Sequence, residues 1–413
     1  MAPGPKVLEA LQRAESVPGE KGPVYEALLA NIKELMSPET AIDDLNAVAD
    51  SFFGQSLGVV GTRAVLTAFV ETLKQLKNEA MWIEVGNRTL GILASQPSSF
   101  LDAAATLCEL VATAHENNED FVEAAKMLAA IPLDSSQRRV TDVERSQIWI
   151  RIARNCLEVD DTTTAERYIT RAKNLLYCFD KNHEDLKLHF QLCQARIQDA
   201  NRDFLSASQG YHDVSFSPAV ADEERLHTLA MAIKCAILAP AGPRRSRILS
   251  RLYKDERSAQ LDEFGILEKI FLDRLLRPDE VAKFAEGLQP HQLATTSDGS
   301  TVLAKAVVEH NLLAASRVYN NISFEALGGL LGLDAGKAEE TTARMIEQGR
   351  LVGQMDQVQE IVWFEGSGRT EKVVGTELRR WDANVRGLAE EVENVTSSLS
   401  EAFPDFVAAN LVV

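Results

Sequence analysis

The histidines are the residues of this chain best suited to bind a metal or transfer protons, so their spacing is informative. His115-Glu116 lacks the second histidine of an HExxH zinc helix, because Glu119 stands at that position. His183 and His189 are six residues apart and do not share a helical face. The HxH pattern with a following Asp, which builds another class of zinc hydrolase, is also absent. The spacing therefore predicts no metal site.

The cysteines and His310 are the remaining candidates for catalysis, and both are typical of a buried core. His310 lies in the apolar helical pattern VVEHNLL, which favours a hydrogen-bonded core histidine. The cysteines are odd in number and lack CxxC spacing, which indicates buried reduced thiols of a cytosolic or nuclear protein. They are Cys108, Cys156, Cys178, Cys193 and Cys235. No GxxxxGK[ST] or GxGxxG loop is present, so we expect no cofactor and no enzymatic activity.

Length and composition indicate an acidic globular protein. The 413 residues carry a net charge of −18, with 45% hydrophobic and 25% charged residues, and fit about two to three domains. This charge disfavours nucleic acid and anionic membranes as partners. No apolar run approaches the roughly 18 residues that indicate a membrane span, and the first residues lack a secretory apolar core.

One basic cluster interrupts this acidic sequence, just after Gly242-Pro243. Two interpretations are open: a docking face for an acidic partner, or a solvated helix face with ion pairs at i,i+4 spacing. The cluster comprises Arg244, Arg245, Arg247, Arg251, Lys254 and Arg257.

Helical periodicity dominates residues 24–290 and contains a repeat. Three pairs of residues with three-residue spacing each follow an acidic or Asn-rich turn and open the second helix of a hairpin. The pairs are Phe121 with Ala124, Thr162 with Ala165, and Phe204 with Ala207, and the alanines are 41 and 42 residues apart. This period predicts a right-handed solenoid of tetratricopeptide-like helical hairpins, in a mostly α protein. Residues 1–23 precede it as a flexible or short helical segment with an amphipathic piece at Val7–Ala14.

Residues 291–365 predict a winged-helix subdomain. Ser323 and Asp334 are helix N-caps, Gly332 and Gly349 end the two helices, and two short apolar runs follow as a β-hairpin. Gln359-Glu360 occupies the hairpin turn, and because neither residue favours positive φ we expect a wing longer than a tight two-residue turn.

A winged helix often binds DNA, but the charge of this one is unfavourable. Between Ile322 and Phe364 the net charge is −4, from three bases and seven acids. Phosphate attraction supplies most non-specific DNA affinity, so this segment would repel DNA. We therefore expect a protein-interaction block here.

The C-terminal segment, residues 371–413, predicts a long helix with a narrow apolar seam. The seam alternates steps of three and four for about 25 residues and stops at Pro404. It comprises Leu378, Trp381, Val385, Leu388, Val392, Val395 and Leu399. Because a flexible joint (366–370) precedes the seam, we favour packing against helices of other chains over packing on its own chain.

Helical repeats that end in a winged helix resemble the PCI-domain family, shared by the proteasome lid, the COP9 signalosome and a translation initiation factor complex. Within residues 235–365, the runs CAILAPAGPRRSRILSRLYKDERSAQL and AVVEHNLLAASRVYNNISFEAL are similar to the signalosome's PCI subunits. The same is true of KAEETTARMIEQGRLVGQMDQVQEIVWFE.

This resemblance implies a non-catalytic scaffold subunit, cytoplasmic and nuclear, of the complex that removes a ubiquitin-like modifier from cullins. Its partners would be other PCI and MPN subunits and a cullin–RING ligase, with no nucleic acid and no membrane. The winged helix and C-terminal helix would assemble the complex, and the N-terminal arm would contact the ligase. A paralogous PCI subunit of the proteasome lid and a winged-helix nucleic-acid binder are the alternatives.

Overall fold

The computed structural model describes most of the chain, and its contacts divide it into two compact units. The first unit comprises Met1–Ala236 with Lys254–Leu261, and the second comprises Ile237–Tyr253 with Asp262–Val413. The residues described are 3–17, 21–37, 40–55, 57–95, 98–134, 138–179, 183–295, 299–364, 371–404 and 406. Residues 18–20 of the predicted N-terminal segment and all of the predicted joint at 366–370 lie outside them.

Thirteen α-helices follow one another among the described residues up to Leu238. They are α1 (Pro5–Ser16), α2 (Gly22–Ala30), α3 (Ile32–Leu35), α4 (Ala41–Gly54), α5 (Gly58–Leu76), α6 (Glu79–Ala94), α7 (Leu101–Asn117), α8 (Phe121–Ala129), α9 (Asp142–Glu158), α10 (Thr162–Lys173), α11 (Glu184–Ala200), α12 (Phe204–Ser215) and α13 (Asp222–Leu238). From α6 to α10 each helix packs against the next, and α11 packs against both α9 and α12. Stacked helical hairpins are therefore confirmed.

The same backbone turn recurs in three hairpins and explains the repeat. At each turn a residue adopts positive φ and the aspartate after it becomes the N-cap of the second helix. The positive-φ residues are Glu119 (61°), Asp160 (60°) and Arg202 (64°), and the N-caps are Asp120, Asp161 and Asp203. The three alanines of the repeat, Ala124, Ala165 and Ala207, are completely buried, as close helix crossing requires.

The N-terminal helix α1 contains the amphipathic piece expected at Val7–Ala14 and belongs to the packed core of the first unit. Val7 and Ala14 have no exposed surface and join a cluster with side chains of α2, α4 and α5. Asp44 of α4 accepts a hydrogen bond from the Gly4 amide at 2.6 Å, at the start of α1. The sequence signal was the amphipathic spacing, which fits burial better than mobility.

The second unit contains further helices and a small sheet. They are α14 (Pro243–Lys254), α15 (Phe264–Phe271), α16 (Pro278–Glu286), α17 (Val302–Val318), β1 (Asn321–Ser323), α18 (Phe324–Leu331), α19 (Ala335–Glu347), β2 (Gly353–Asp356), β3 (Ile361–Phe364) and α20 (Glu371–Ala402). Ser323 and Asp334 cap α18 and α19 as predicted, and Gly332 ends α18 at φ 70°. A mostly α protein with helical repeats and a winged helix is therefore confirmed.

The sheet of the winged helix has three antiparallel strands in the order β1-β3-β2, one more than the sequence predicted. Strand β1 is three residues long and includes the N-cap of α18, so its extended residues carry too little pattern to be recognised. Asp356 pairs with Ile361, which leaves a four-residue wing and confirms the longer loop. Glu360 does adopt positive φ (54°), against the preference of its residue type.

No described helix combines the length and the low charge content needed to cross a membrane.

Candidate interaction surfaces

The four described cysteines and His310, the candidates for catalysis, are buried on five separate helices rather than gathered in one site. Within the described residues, no group of three His, Cys, Asp or Glu side chains could hold a metal ion. Cys108, Cys156, Cys193 and Cys235 are free and buried, and burial raises the pKa of Cys108 and Cys193 to about 11. These thiols therefore stay protonated and unreactive at neutral pH. The Cys178 side chain lies outside the described part.

His310 is a core histidine, as predicted. It is 2% exposed, and its Nε2 lies 2.8 Å from the carbonyl oxygen of Arg274, to which the neutral ring donates. Burial, reinforced by the charges of Arg245 and Arg317, lowers the pKa of His310 to about 4. A neutral, buried imidazole with a backbone partner is suited to fixing α17 in place.

Arg245 is not part of the exposed basic face that the sequence predicted, because its side chain is buried within the second unit. Arg245 is 3% exposed and donates a hydrogen bond from Nη2 to the carbonyl oxygen of Ile237 at 2.8 Å. Burial lowers the pKa of Arg245 to about 10, although the charges of Glu309 and Asp273 oppose this. Helical periodicity places residue 245 on the same face as Ile248 and Leu249, a signal that the charge cluster obscured.

Arg257 also leaves the predicted face, because it lies beyond α14 and has partners in the first unit. Its guanidinium pairs with Asp255 at 2.6 Å and donates to the carbonyl oxygen of Ser215 at 2.7 Å. The same group lies 4.4 Å from the centre of the Phe216 ring, a cation–π contact. The four other members of the cluster, Arg244, Arg247, Arg251 and Lys254, are exposed on α14.

The apolar seam of α20 is open along its described length. Trp381 is 71% exposed, Leu388 63% and Val392 58%, and Val385, Val395 and Leu399 are also exposed. The backbone at Leu378 is helical, but its side chain lies outside the described part. A stripe of apolar side chains at heptad spacing can form a coiled coil or enter a helical bundle.

An ion pair that sequence reasoning missed joins the winged helix to α17. The guanidinium of Arg350 forms two hydrogen bonds with the carboxylate of Glu309, 41 residues earlier in the chain, and Glu309 is 3% exposed. Glu309 also accepts from the Ala241 amide at 3.3 Å. The sequence did contain one signal for this ion pair, which is the carboxylate of Glu309 inside the apolar pattern around His310. A buried charge requires a partner of opposite charge.

The bases of the winged helix are therefore mostly neutralised. Arg350 is half-buried and paired with Glu309, and Arg344 donates to Glu340 one turn earlier on α19 at 2.7 Å. Lys337 is exposed near the start of α19. A recognition helix for DNA normally presents several bases to phosphate.

The outer face of the sheet exposes an aromatic side chain that the sequence analysis did not single out. Trp363 in the central strand is 47% exposed, and its register partners Asn321 and Gln354 are exposed on either side. Alternation along β3 gives the reason, because Val362 and Phe364 face the core.

Helical repeats followed by a winged helix of this topology define a PCI-domain protein, and two family models agree with this class. The model described as "PCI domain" matches residues 267–365. The model described as "PSMD12/CSN4, N-terminal" matches residues 7–223, which is more than half of the chain.

Three curated relatives are similar to this chain over most of its length, and each has the name COP9 signalosome complex subunit 4. The Neurospora crassa protein is 54% identical over 94% of both chains. The Emericella nidulans protein is 47% identical, over 97% of this chain and 98% of its own. The Dictyostelium discoideum protein is 42% identical over 86% and 87%. The chain belongs to the COP9 signalosome subunit 4 family.

Proposed function

We propose that this chain is a non-catalytic scaffold subunit of the COP9 signalosome, the complex that removes a ubiquitin-like modifier from cullins of cullin–RING ligases. The observation that carries this proposal is the 54% identity with a signalosome subunit over 94% of both chains. Its partners are then the other PCI and MPN subunits in the cytoplasm and nucleus, without nucleic acid or membrane.

Two surfaces support the assembly role. The exposed seam of α20 offers apolar area that a helical bundle would bury, at about 1.5–3 kcal/mol for each large side chain. The winged helix offers a three-stranded sheet with Trp363 on its outer face and few unpaired bases. Tryptophan is a frequent anchor of protein interfaces.

The burial of the candidate catalytic side chains fits a non-catalytic role. The four described cysteines are buried, and His310 is neutral and bonded to the backbone. Acting on an isopeptide bond requires a nucleophile or an activated water beside groups that stabilise the developing charge. In this proposal the complex supplies that chemistry from another subunit, while the N-terminal helical repeats contact the ligase.

Depletion of this chain in cells tests the proposal. We expect the modified fraction of cullin to rise on immunoblots, and re-expression of the full chain to restore it. The isolated chain, with or without added zinc, is expected to release no modifier from a modified cullin. An unchanged modified fraction after depletion, or cleavage by the isolated chain, would contradict the proposed function.

A further inference from the structure

Helix α14 has two faces of opposite character. Ile248, Leu249 and Leu252 are buried together with the Arg245 side chain. The remaining bases point to solvent at spacings of three, four and three residues, and we call them the α14 basic stripe: Arg244, Arg247, Arg251 and Lys254. At 100° per residue they fall within an arc of roughly 80°, over a length of about 15 Å.

The α14 basic stripe has no acidic partner on its own helix. The sequence of α14, PRRSRILSRLYK, contains no Asp or Glu, so the ion pairs at i,i+4 spacing that stabilise a solvated charged face cannot form. In the part of the chain that the structure describes, none of the four side chains forms an ion pair. Like charges at this spacing repel one another, and a ligand of opposite charge relieves that repulsion.

The charge of the whole chain restricts the kind of ligand. Net charge is −18, so the stripe is a local positive region on an acidic protein. A polynucleotide would extend past about 15 Å on a chain whose net charge of −18 repels phosphate, whereas a short acidic helix would fit within the stripe. A helix with Glu or Asp at i, i+3 or i+4, and i+7 presents carboxylates at the same spacing as the stripe.

We propose that the α14 basic stripe is a docking surface for an acidic α-helical segment of another protein. The complementary charges meet at an exposed surface, so the stripe sets partner choice and association rate and is sensitive to salt. The charge and exposure of the stripe are properties of this chain alone and hold whether or not it assembles as proposed above.

Binding of a labelled model peptide to the full chain tests this surface. The probe is a 16-residue helical peptide with Glu along one face, and its matched control has Gln at those positions. The variant R244E/R247E/R251E is compared with R167E/R171E/K173E, which changes the net charge equally on the exposed surface of α10. Fluorescence anisotropy at low ionic strength, about 0.05 M, gives the Kd of each peptide for each protein variant.

We expect the Glu peptide to bind the wild-type chain and the Gln peptide to bind at least about tenfold more weakly. The stripe variant should weaken Glu-peptide binding at least about tenfold, and the α10 variant less than about threefold. R244Q/R247Q/R251Q should fall between wild type and the charge reversal. Equal binding of the two peptides, equal losses in both triple variants, or tighter binding of a DNA duplex than of the Glu peptide would overturn the proposal.

Discussion

At the residue scale, His310 shows how a titratable side chain can serve structure alone. Its Nε2 lies 2.8 Å from the Arg274 carbonyl oxygen, and Arg245 and Arg317 place positive charge nearby. The folded ring therefore binds a proton only near pH 4, whereas in the unfolded chain it does so near 6.5. The unfolded state binds more protons between these values, so stability contributed by neutral His310 is lost as pH falls from about 6.5 to 4.

We predict that His310→Gln flattens this pH dependence. Glutamine keeps a donor and does not titrate, so the wild-type chain should lose about 2 kcal/mol more stability than the variant between pH 7 and pH 5. Denaturant unfolding of the second unit at the two pH values measures the difference. His227→Gln, at an exposed position of α13, is the control for the loss of one histidine. Parallel pH profiles for wild type and His310→Gln would refute the account of His310.

At the same scale, the six clustered bases show that residues close in sequence can differ in exposure. From the sequence, six bases in fourteen residues suggest one face, but the structure divides them by helical position. Arg245 is buried, Arg257 pairs with Asp255 beyond the helix, and four remain exposed. Composition shows where charge is concentrated, while the direction of each side chain depends on which helical face is buried.

At the element scale, small residues set how closely the repeat helices approach. Gly86 of α6 faces Val111 of α7, and a Cβ at position 86 would lie 2.3 Å from the Cγ2 atom of Val111. Val111 is completely buried and β-branched, so it has little freedom to move. Gly91 of the same helix has open space around its Cα.

We predict opposite effects for alanine at these two glycines. Gly86→Ala should lower the free energy of unfolding by about 1–2 kcal/mol, because overpacking against Val111 outweighs the gain in helix propensity. Gly91→Ala should raise the free energy of unfolding by up to about 1 kcal/mol, since only the helix propensity changes at this open position. Thermal unfolding shows whether each variant has a lower or a higher melting temperature than the wild-type chain. A stabilised Gly86→Ala protein would show that α6 and α7 are not in close contact.

The seam of α20 gives a further prediction at this scale. Leu388→Asp with Val392→Asp should leave the melting temperature of the isolated chain unchanged, because both side chains are exposed there. Incorporation into the complex should weaken about a thousandfold, from two lost burials of about 2 kcal/mol each. The control Asn394→Asp with Ser397→Asp adds the same charge on the opposite face of the helix. Wild-type co-purification of the seam variant would refute the role of the seam.

Much of the element structure could be predicted from the sequence. The second helices of three hairpins begin at the predicted residues Phe121, Thr162 and Phe204, because an aspartate N-cap and a buried alanine mark each start. The caps Ser323 and Asp334 were also predicted correctly, since capping depends on local hydrogen bonds.

Contacts between distant residues could not be predicted in the same way. Strand β1 is recognised only by its pairing with β3, 40 residues later in the chain. The Glu309–Arg350 pair likewise joins residues that a local pattern cannot relate. The start of α1 is likewise held by a distant residue, because Asp44 accepts a hydrogen bond from the Gly4 amide at a separation of 40 residues.

At the scale of the whole molecule, the chain combines helical repeats, a winged helix with Trp363 exposed on its sheet, and the helix α20 with its exposed apolar seam. Within the described part, the four free cysteines are buried and His310 is bonded to the backbone. The identity to the signalosome subunits extends across nearly the whole length, so it includes all three parts. We infer that the chain acts by positioning other proteins.

The most direct test of that role is mass spectrometry of proteins that co-purify with the tagged chain expressed at its endogenous level. We predict recovery of the other COP9 signalosome subunits in equal stoichiometry with this chain. Recovery of proteasome lid subunits in their place, or of this chain without partners, would contradict the account.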